Sequence, residues 1–176
     1  RILYNHLLKF LNSGIIKNLG VSIYQTNEFN KLRRYKDISC VQLPFNLIDY
    51  KWIKILNHKQ NKIKIFARSI FIRGNLKKDK IFFPSKIKKR YKILNDYLNQ
   101  ICLKFKKKSL FELTIAYIKS FKNIDHYVFG AQNSKHINEI IGFFKTKGLK
   151  EKQKLLLIKL VKANFDVAYA DLRNWD

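Results

Sequence analysis

Methionine is missing from all 176 residues, and the chain opens Arg1-Ile2-Leu3. The combination suggests a sequence that begins inside a longer coding region, because Arg1 is a poor residue to follow a removed initiator. Cysteine is nearly missing too. Cys40 and Cys102 stand alone with no metal-ligand spacing around them, so both read as reduced thiols acting as small apolar side chains. No apolar run approaches the ~20 residues of a membrane-spanning helix. Neither the apolar core of a signal peptide nor its small-residue cleavage site stands near residue 1. A reducing, cytoplasmic setting without a membrane partner is the expectation.

Acidic residues are also scarce: 12 against 37 lysines and arginines, a net charge of +25. Such a balance ordinarily points to a polyanion. Lysine, however, supplies 30 of the 37 and is spread along the chain, with dense runs only at 77–78, 86–90 and 104–108. The many Ile, Asn, Phe and Tyr residues belong with lysine to the set that AT-rich coding favours. Arginine clusters interleaved with aromatics, which a base-stacking surface requires, are missing. The charge therefore reads as a solvated lysine-rich surface, with a basic nucleic-acid-binding protein as the weaker alternative. The 12 carboxylates are dispersed, with no pair spaced for a metal or for glycoside hydrolysis. No Ser-His-Asp or Cys-His arrangement stands out.

What is present is a repeating order of strand and helix. Residues 4–13 read as the end of a helix, with Leu7, Leu8 and Leu11 on one face and Gly14 as its stop. Four apolar runs of strand length follow at 18–24 (NLGVSIY), 38–46 (ISCVQLPFN), 62–71 (KIKIFARSIF) and 124–130 (IDHYVFG). Short helices lie between the first three, one capped by Thr26 and one marked by Trp52, Ile53 and Leu56. A long helix carries Ile87, Tyr91, Leu94, Leu98, Ile101 and Phe105 as a stripe. Ser109 and Glu112 form a capping-box pattern before another helix. Ser134 is expected to cap a helix with Ile137, Ile140, Ile141 and Phe144 on one face, and residues 155–161 form a terminal helix.

Strands alternating with helices imply a parallel sheet with right-handed crossovers. An open doubly wound sheet fits poorly, because no Gly-x-Gly-x-x-Gly turn follows any strand. The alternative is part of an eight-stranded (β/α)8 TIM barrel, in which function gathers at the C-terminal ends of the strands. Those ends carry Ser22, then Gln42 with Asn46, then Arg68-Ser69, then Gly130-Ala131-Gln132-Asn133-Ser134.

In this order and spacing, GVSIY, QLPFNLID, ARSIFIRG and FGAQNSKHINEI resemble the C-terminal half of the aldo-keto reductases, over most of residues 1–145. The final DLRNW looks like tails of bacterial members. The resemblance implies one partial barrel domain over 1–176, with its N-terminal strands missing. It also implies an NAD(P)-dependent oxidoreductase acting on a small carbonyl or alcohol substrate, with NADP(H) favoured over NAD(H). Ser22 and Gln42 match the pair that holds the nicotinamide carboxamide, which needs both a donor and an acceptor. Arg68 falls where members stack a group on the nicotinamide, a task a guanidinium plane can perform. Ser69 would face the pyrophosphate. Gly130, Gln132 and Ser134 lead into a helix N-terminus that favours a phosphate. His136 takes the place of a residue that meets the adenosine 2′-phosphate, and Glu139 matches an adenine-binding Glu.

The sequence also departs from the family pattern. Ile23 and Ile140 stand where members often have Asn, and His136 is a weaker phosphate ligand than Arg, although Lys135 is adjacent. The family's catalytic Asp, Tyr, Lys and His come from strands with no counterpart here, so the chain alone should be inactive. His6 lies within a helix pattern and matches no strand end. Without the family, Ser22 and Gln42 read as ordinary core hydrogen-bonding groups, and a non-catalytic cofactor-binding or interaction protein on the same fold is the alternative. A half-barrel leaves sheet edges and an inner face uncovered, so poor solubility or self-association is expected.

Overall fold

The computed structural model describes residues 2–32, 34–58, 62–72, 85–171 and 173. Among them, seven α-helices and four strands follow one another in chain order. Helix α1 (Ile2–Asn12) ends before Gly14, whose φ of 76° is left-handed. Strand β1 (Leu19–Ser22), helix α2 (Thr26–Leu32) and strand β2 (Ile38–Pro44) come next. A 3-10 turn (Tyr50–Trp52) runs into α3 (Ile53–Asn57), followed by β3 (Lys64–Arg68). Helices α4 (Ser85–Lys104) and α5 (Leu110–Ile118) precede β4 (His126–Tyr127). Helices α6 (Ser134–Phe144) and α7 (Glu151–Asn164) lead to a last 3-10 turn, Val167–Ala170. The Lys77-Lys78 run, the end of the ARSIFIRG motif, the side chain of Ile87 and most of the DLRNW tail lie outside the described residues.

The four strands form one sheet in the order β1-β2-β3-β4, every pair parallel. Sequential order is what barrel closure produces; a doubly wound sheet reverses direction at a switch point. All four strands are shorter than their apolar runs suggested, because the hydrogen-bonded ladder stops before the apolar character does. Between Leu19 and Gly20 the register slips by one residue of β2. The extra residue, Ser39, turns its hydroxyl to the Asn18 side chain and the Leu19 carbonyl. Gly20 is then forced: a Cβ there would stand 2.8 Å from the Cys40 carbonyl oxygen and against its Sγ.

Register and alternation give the sheet two unlike faces. Val21, Val41 and Ile65 form one row, and Leu43, Ala67 and Tyr127 the next. Val41, Leu43, Ile65 and Ala67 are at most 1% exposed and join the core under the helices. Tyr91, Leu94 and Leu98 from α4, Leu113 and Tyr117 from α5, and Leu157 and Val161 from α7 complete that core. The alternate row, Ser22, Gln42, Phe66 and His126, looks the other way. Ser22 and His126 are exposed and Gln42 and Phe66 half-buried. Among the described residues, only the first of these faces packs into the buried core.

Side-chain caps open α5 and α6, and the starts of α2, α5 and α6 each differ from the expected pattern. Ser109 accepts from Glu112 N–H at 3.2 Å, while the Glu112 carboxylate reaches back to Lys108 N–H rather than to Ser109. The cap of α6 is Asn133, whose Oδ1 accepts from His136 N–H at 2.9 Å; Ser134 is the first helical residue. Thr26 likewise opens α2 as its first residue, and the Glu28 carboxylate closes the turn by accepting from Tyr24 and Gln25 N–H. The far end of α6 is tied down by Lys119, whose ammonium donates to the Phe144 and Thr146 carbonyls. On α6 only Ile140 is buried, with Phe144 half-buried; Ile137 and Ile141 are 45% and 52% exposed. The expected four-residue face is only half used.

Candidate functional site

The polar residues expected at strand ends stand at the C-terminal edge of the one sheet. Ser22 closes β1, and its Oγ donates to Gln42 Oε1 at 3.3 Å on the adjacent strand. Both belong to the open face. One layer further along, Pro44 and Arg68 are register partners on β2 and β3. The Arg68 guanidinium lies 4.3 Å from the Tyr24 ring centroid and donates to Ser69 Oγ at 3.3 Å. Its Nη2 is buried and makes no hydrogen bond. Burying an unsatisfied guanidinium donor is costly, so a ligand acceptor there would be favoured.

The turn after β3 is strained. Ser69 and Ile72 have φ of 58° and 50°, a region ordinary side chains avoid and a β-branched one especially. Asn46 holds this turn from the neighbouring strand end. Its Nδ2 donates to the Ser69 carbonyl at 3.3 Å, and its Oδ1 accepts from Ile48 and Asp49 N–H. Asn46 is 1% exposed, so it acts as a rivet between two strand-end loops and not as a ligand group. Sequence reading placed Asn46 at a strand end without this role, which depends on a contact 23 residues away.

Strand β4 extends the same edge, since Val128 N–H donates to the Ala67 carbonyl at 2.7 Å. Gly130, Gln132 and Ser134 follow and are exposed. Helix α6 opens with exposed Ser134 and Lys135, its His136 N–H is taken by the Asn133 cap, and His136 and Glu139 are half-buried in its first and second turns. Topology thus brings Ser22, Gln42, Arg68 and Ser69 together. The 130–139 segment leaves from the next strand end, with no direct side-chain contact to Arg68 among the described residues. His6 is exposed on α1, its ring bonded to the Ile2 carbonyl. His126 stacks on Phe66 at 4.4 Å on the open face.

Behind the strand ends lies a buried acid that the sequence did not reveal. Asp49 is fully buried, neither carboxylate oxygen makes a hydrogen bond, and Lys51 Nζ is 3.6 Å away. Burial pushes its pKa up to about 7, against the opposing Lys51 ammonium. Cys102, as expected of a small apolar side chain, is buried, and burial lifts its thiol to about 11.

Four parallel strands in sequential order, with helices packed on one face, define half of a (β/α)8 barrel. The chain belongs to the aldo/keto reductase family, whose model matches residues 3–158. A search of curated proteins finds no match. Among solved structures, the holo form of an aldo-keto reductase from Bacillus halodurans superimposes with a TM-score of 0.73 at 15% identity. That match covers 93% of this chain and 56% of the other. A glycerol dehydrogenase from Gluconobacter oxydans gives 0.65 at 17% identity, covering 90% and 53%. At these identities the likeness is one of fold. The chain spans just over half the length of these relatives. Among the described residues, no helix is long and apolar enough to cross a membrane.

Proposed function

We propose that this chain is the cofactor-holding, C-terminal part of an NAD(P)-dependent aldo-keto reductase that acts on a small carbonyl or alcohol. The observation that carries this reading is the adjacency of Ser22 and Gln42 on the open sheet face, with Arg68 one layer above them. A nicotinamide carboxamide presents one acceptor and two donors in a plane. Ser22 Oγ–H can donate to its oxygen, and the Gln42 amide offers an acceptor and a donor in return. On this reading the Arg68 guanidinium lies over the ring, and its buried, unsatisfied Nη2 supports a role in binding.

Ser69, on its strained turn, and the backbone N–H groups of Ser134 and Lys135 at the start of α6 then serve the pyrophosphate and adenosine phosphate. Gly130, Gln132 and Ser134 let that end approach closely, His136 and Lys135 supply charge for a 2′-phosphate, and Glu139 meets the adenine. That charge is the basis for NADP(H) over NAD(H). The bound dinucleotide supplies or accepts the hydride. The residues of this chain hold and orient it; the general acid and its partners lie on strands outside these 176 residues, so the chain alone reduces no carbonyl.

The test is titration of NADPH and NADH, followed by quenching of cofactor fluorescence. NADPH should bind the more tightly, and Ser22→Ala and Gln42→Ala should each weaken it by roughly three- to tenfold, the worth of one hydrogen bond. Absence of binding, or variants that bind as the unaltered chain does, would refute the assignment.

A further inference from the structure

The last described residue has a partner no strand-end pattern announces. Arg173 places its guanidinium carbon 3.8 Å from the centroid of the Tyr24 ring, the same ring that Arg68 approaches at 4.3 Å. Tyr24 lies two residues past the end of β1, and its ring meets Arg68 at the end of β3. The aromatic ring therefore joins the tail of the chain to the guanidinium at the strand-end mouth.

Two cations on one ring would repel if each kept its full charge. Asp171 removes that difficulty. Its carboxylate takes a forked pair from Arg173, Nη2 to Oδ2 at 2.6 Å and Nε to Oδ1 at 3.0 Å, and also accepts Arg173 N–H at 3.1 Å. The Asp171 side chain is 4% exposed while that of Arg173 is 52% exposed, so the acid is the anchor and the arginine the arm. Glu28 is the other acid near the arm, itself fixed by Tyr24 and Gln25 N–H. Planar, bidentate pairing keeps a guanidinium in one orientation in a way an ammonium cannot.

We propose that Arg173, locked by Asp171 onto the Tyr24 ring, is a positioning residue that sets the place of Arg68 in the cofactor mouth. The proposal rests on the cofactor reading above. Arg173 touches no reacting atom; it fixes the ring, and the ring fixes Arg68. Losing it frees Tyr24 to swing and leaves the Arg68 guanidinium, among the described residues, with Ser69 as its one hydrogen-bond partner.

The experiment uses the full chain with Arg173→Ala, Arg173→Lys and Asp171→Asn. NADPH affinity should fall about three- to tenfold in Arg173→Ala, the worth of one cation–π contact with its ion pair. Arg173→Lys should recover only part of it. Binding of adenosine 2′,5′-bisphosphate, which engages only the 130–139 end, should not change. Independently of any ligand, backbone amides at 24–28 and 69–72 should exchange faster in Arg173→Ala and Asp171→Asn. If NADPH affinity and these amides are unchanged, the positioning role is wrong and the cofactor reading stands. If the unaltered chain binds no NADPH, the cofactor reading is wrong, and unchanged amide exchange then removes the clasp as well. Faster exchange spread evenly over all helices would make Arg173 a general stability residue and overturn the proposal.

Discussion

Asp49 is fully buried with neither oxygen hydrogen-bonded, and replacing it with asparagine isolates what that burial costs. Its pKa rises from 3.8 in the free chain to about 7 in the fold. The folded state therefore holds a proton that the unfolded state has already released, and stability must fall as pH rises between the two values. Across the full interval the loss is on the order of 4 kcal/mol, at about 1.36 kcal/mol for each pH unit of difference. Glu28, Glu112 and Asp171 are shifted the other way, held down by N–H donors and by neighbouring cations. Their contribution is complete above their unfolded values and is lost only as pH falls below about 4.5. A window from pH 5 to pH 8 thus separates Asp49 from these acids, with about 3 kcal/mol expected within it and Asp49→Asn as the control. The assay is urea unfolding at one fixed protein concentration, followed by fluorescence of the adjacent, fully buried Trp52. Stability should decline across the window in the unaltered chain and stay nearly flat in Asp49→Asn. Parallel lines for the two proteins would refute the reasoning.

Two other outcomes follow from packing. Gly20→Ala should destabilise the chain by about 1–3 kcal/mol, because the new methyl must displace backbone at Cys40 and not merely a flexible side chain; a change in denaturation midpoint below experimental error would contradict the β1–β2 approach described above. The chain on its own should self-associate with rising concentration in sedimentation, since Ile137, Ile141, Val128 and Phe129 stand exposed beside edge strand β4 and Ile2, Leu3 and Phe10 on the helix preceding edge strand β1. A sharp, reversible melt from a stable monomer would count against the half-barrel reading.

Much of the fold was legible because the alternation of apolar runs and helical stripes is a local signal. The long helix announced itself through Tyr91, Leu94, Leu98 and Ile101, and all four are buried. Boundaries were less legible. Residues 18–24 read as a single strand-length run, yet the ladder covers only Leu19–Ser22, because pairing with β2 ends where the chain turns toward α2. Choosing between Asn133 and Ser134 as a cap needed the backbone. Both residue types cap well, but Asn133 is the one in extended conformation, at φ −159° and ψ 170°. The stripe on α6 misled for a physical reason: a stripe shows which face is apolar, whereas its burial depends on a neighbour, and β4 is the last strand of the sheet.

The candidate site divides in the same way. Ser22, Gln42 and Arg68 could be found because a strand end carrying a polar residue after apolar neighbours is visible over a few positions. Asn46 could be placed at a strand end but not given its role, and Asp49 and Arg173 could not be found, since each acquires its meaning from a distant partner: Ser69 for Asn46, enclosure by the folded core for Asp49, and Tyr24 for Arg173. Asn46 and Arg173 nonetheless bear on how firmly the legible residues are held. Asn46 braces the turn that follows Arg68, and Arg173 bears on the ring that Arg68 lies against. A motif read along the chain therefore names the groups that would meet a ligand, while long-range contacts set their geometry. If the proposed function holds, substitutions in the two sets should differ accordingly: changes at Ser22 or Gln42 should remove a binding contact and leave the strand ends intact, whereas changes at Asn46 or Arg173 should loosen the strand-end loops even when no ligand is present.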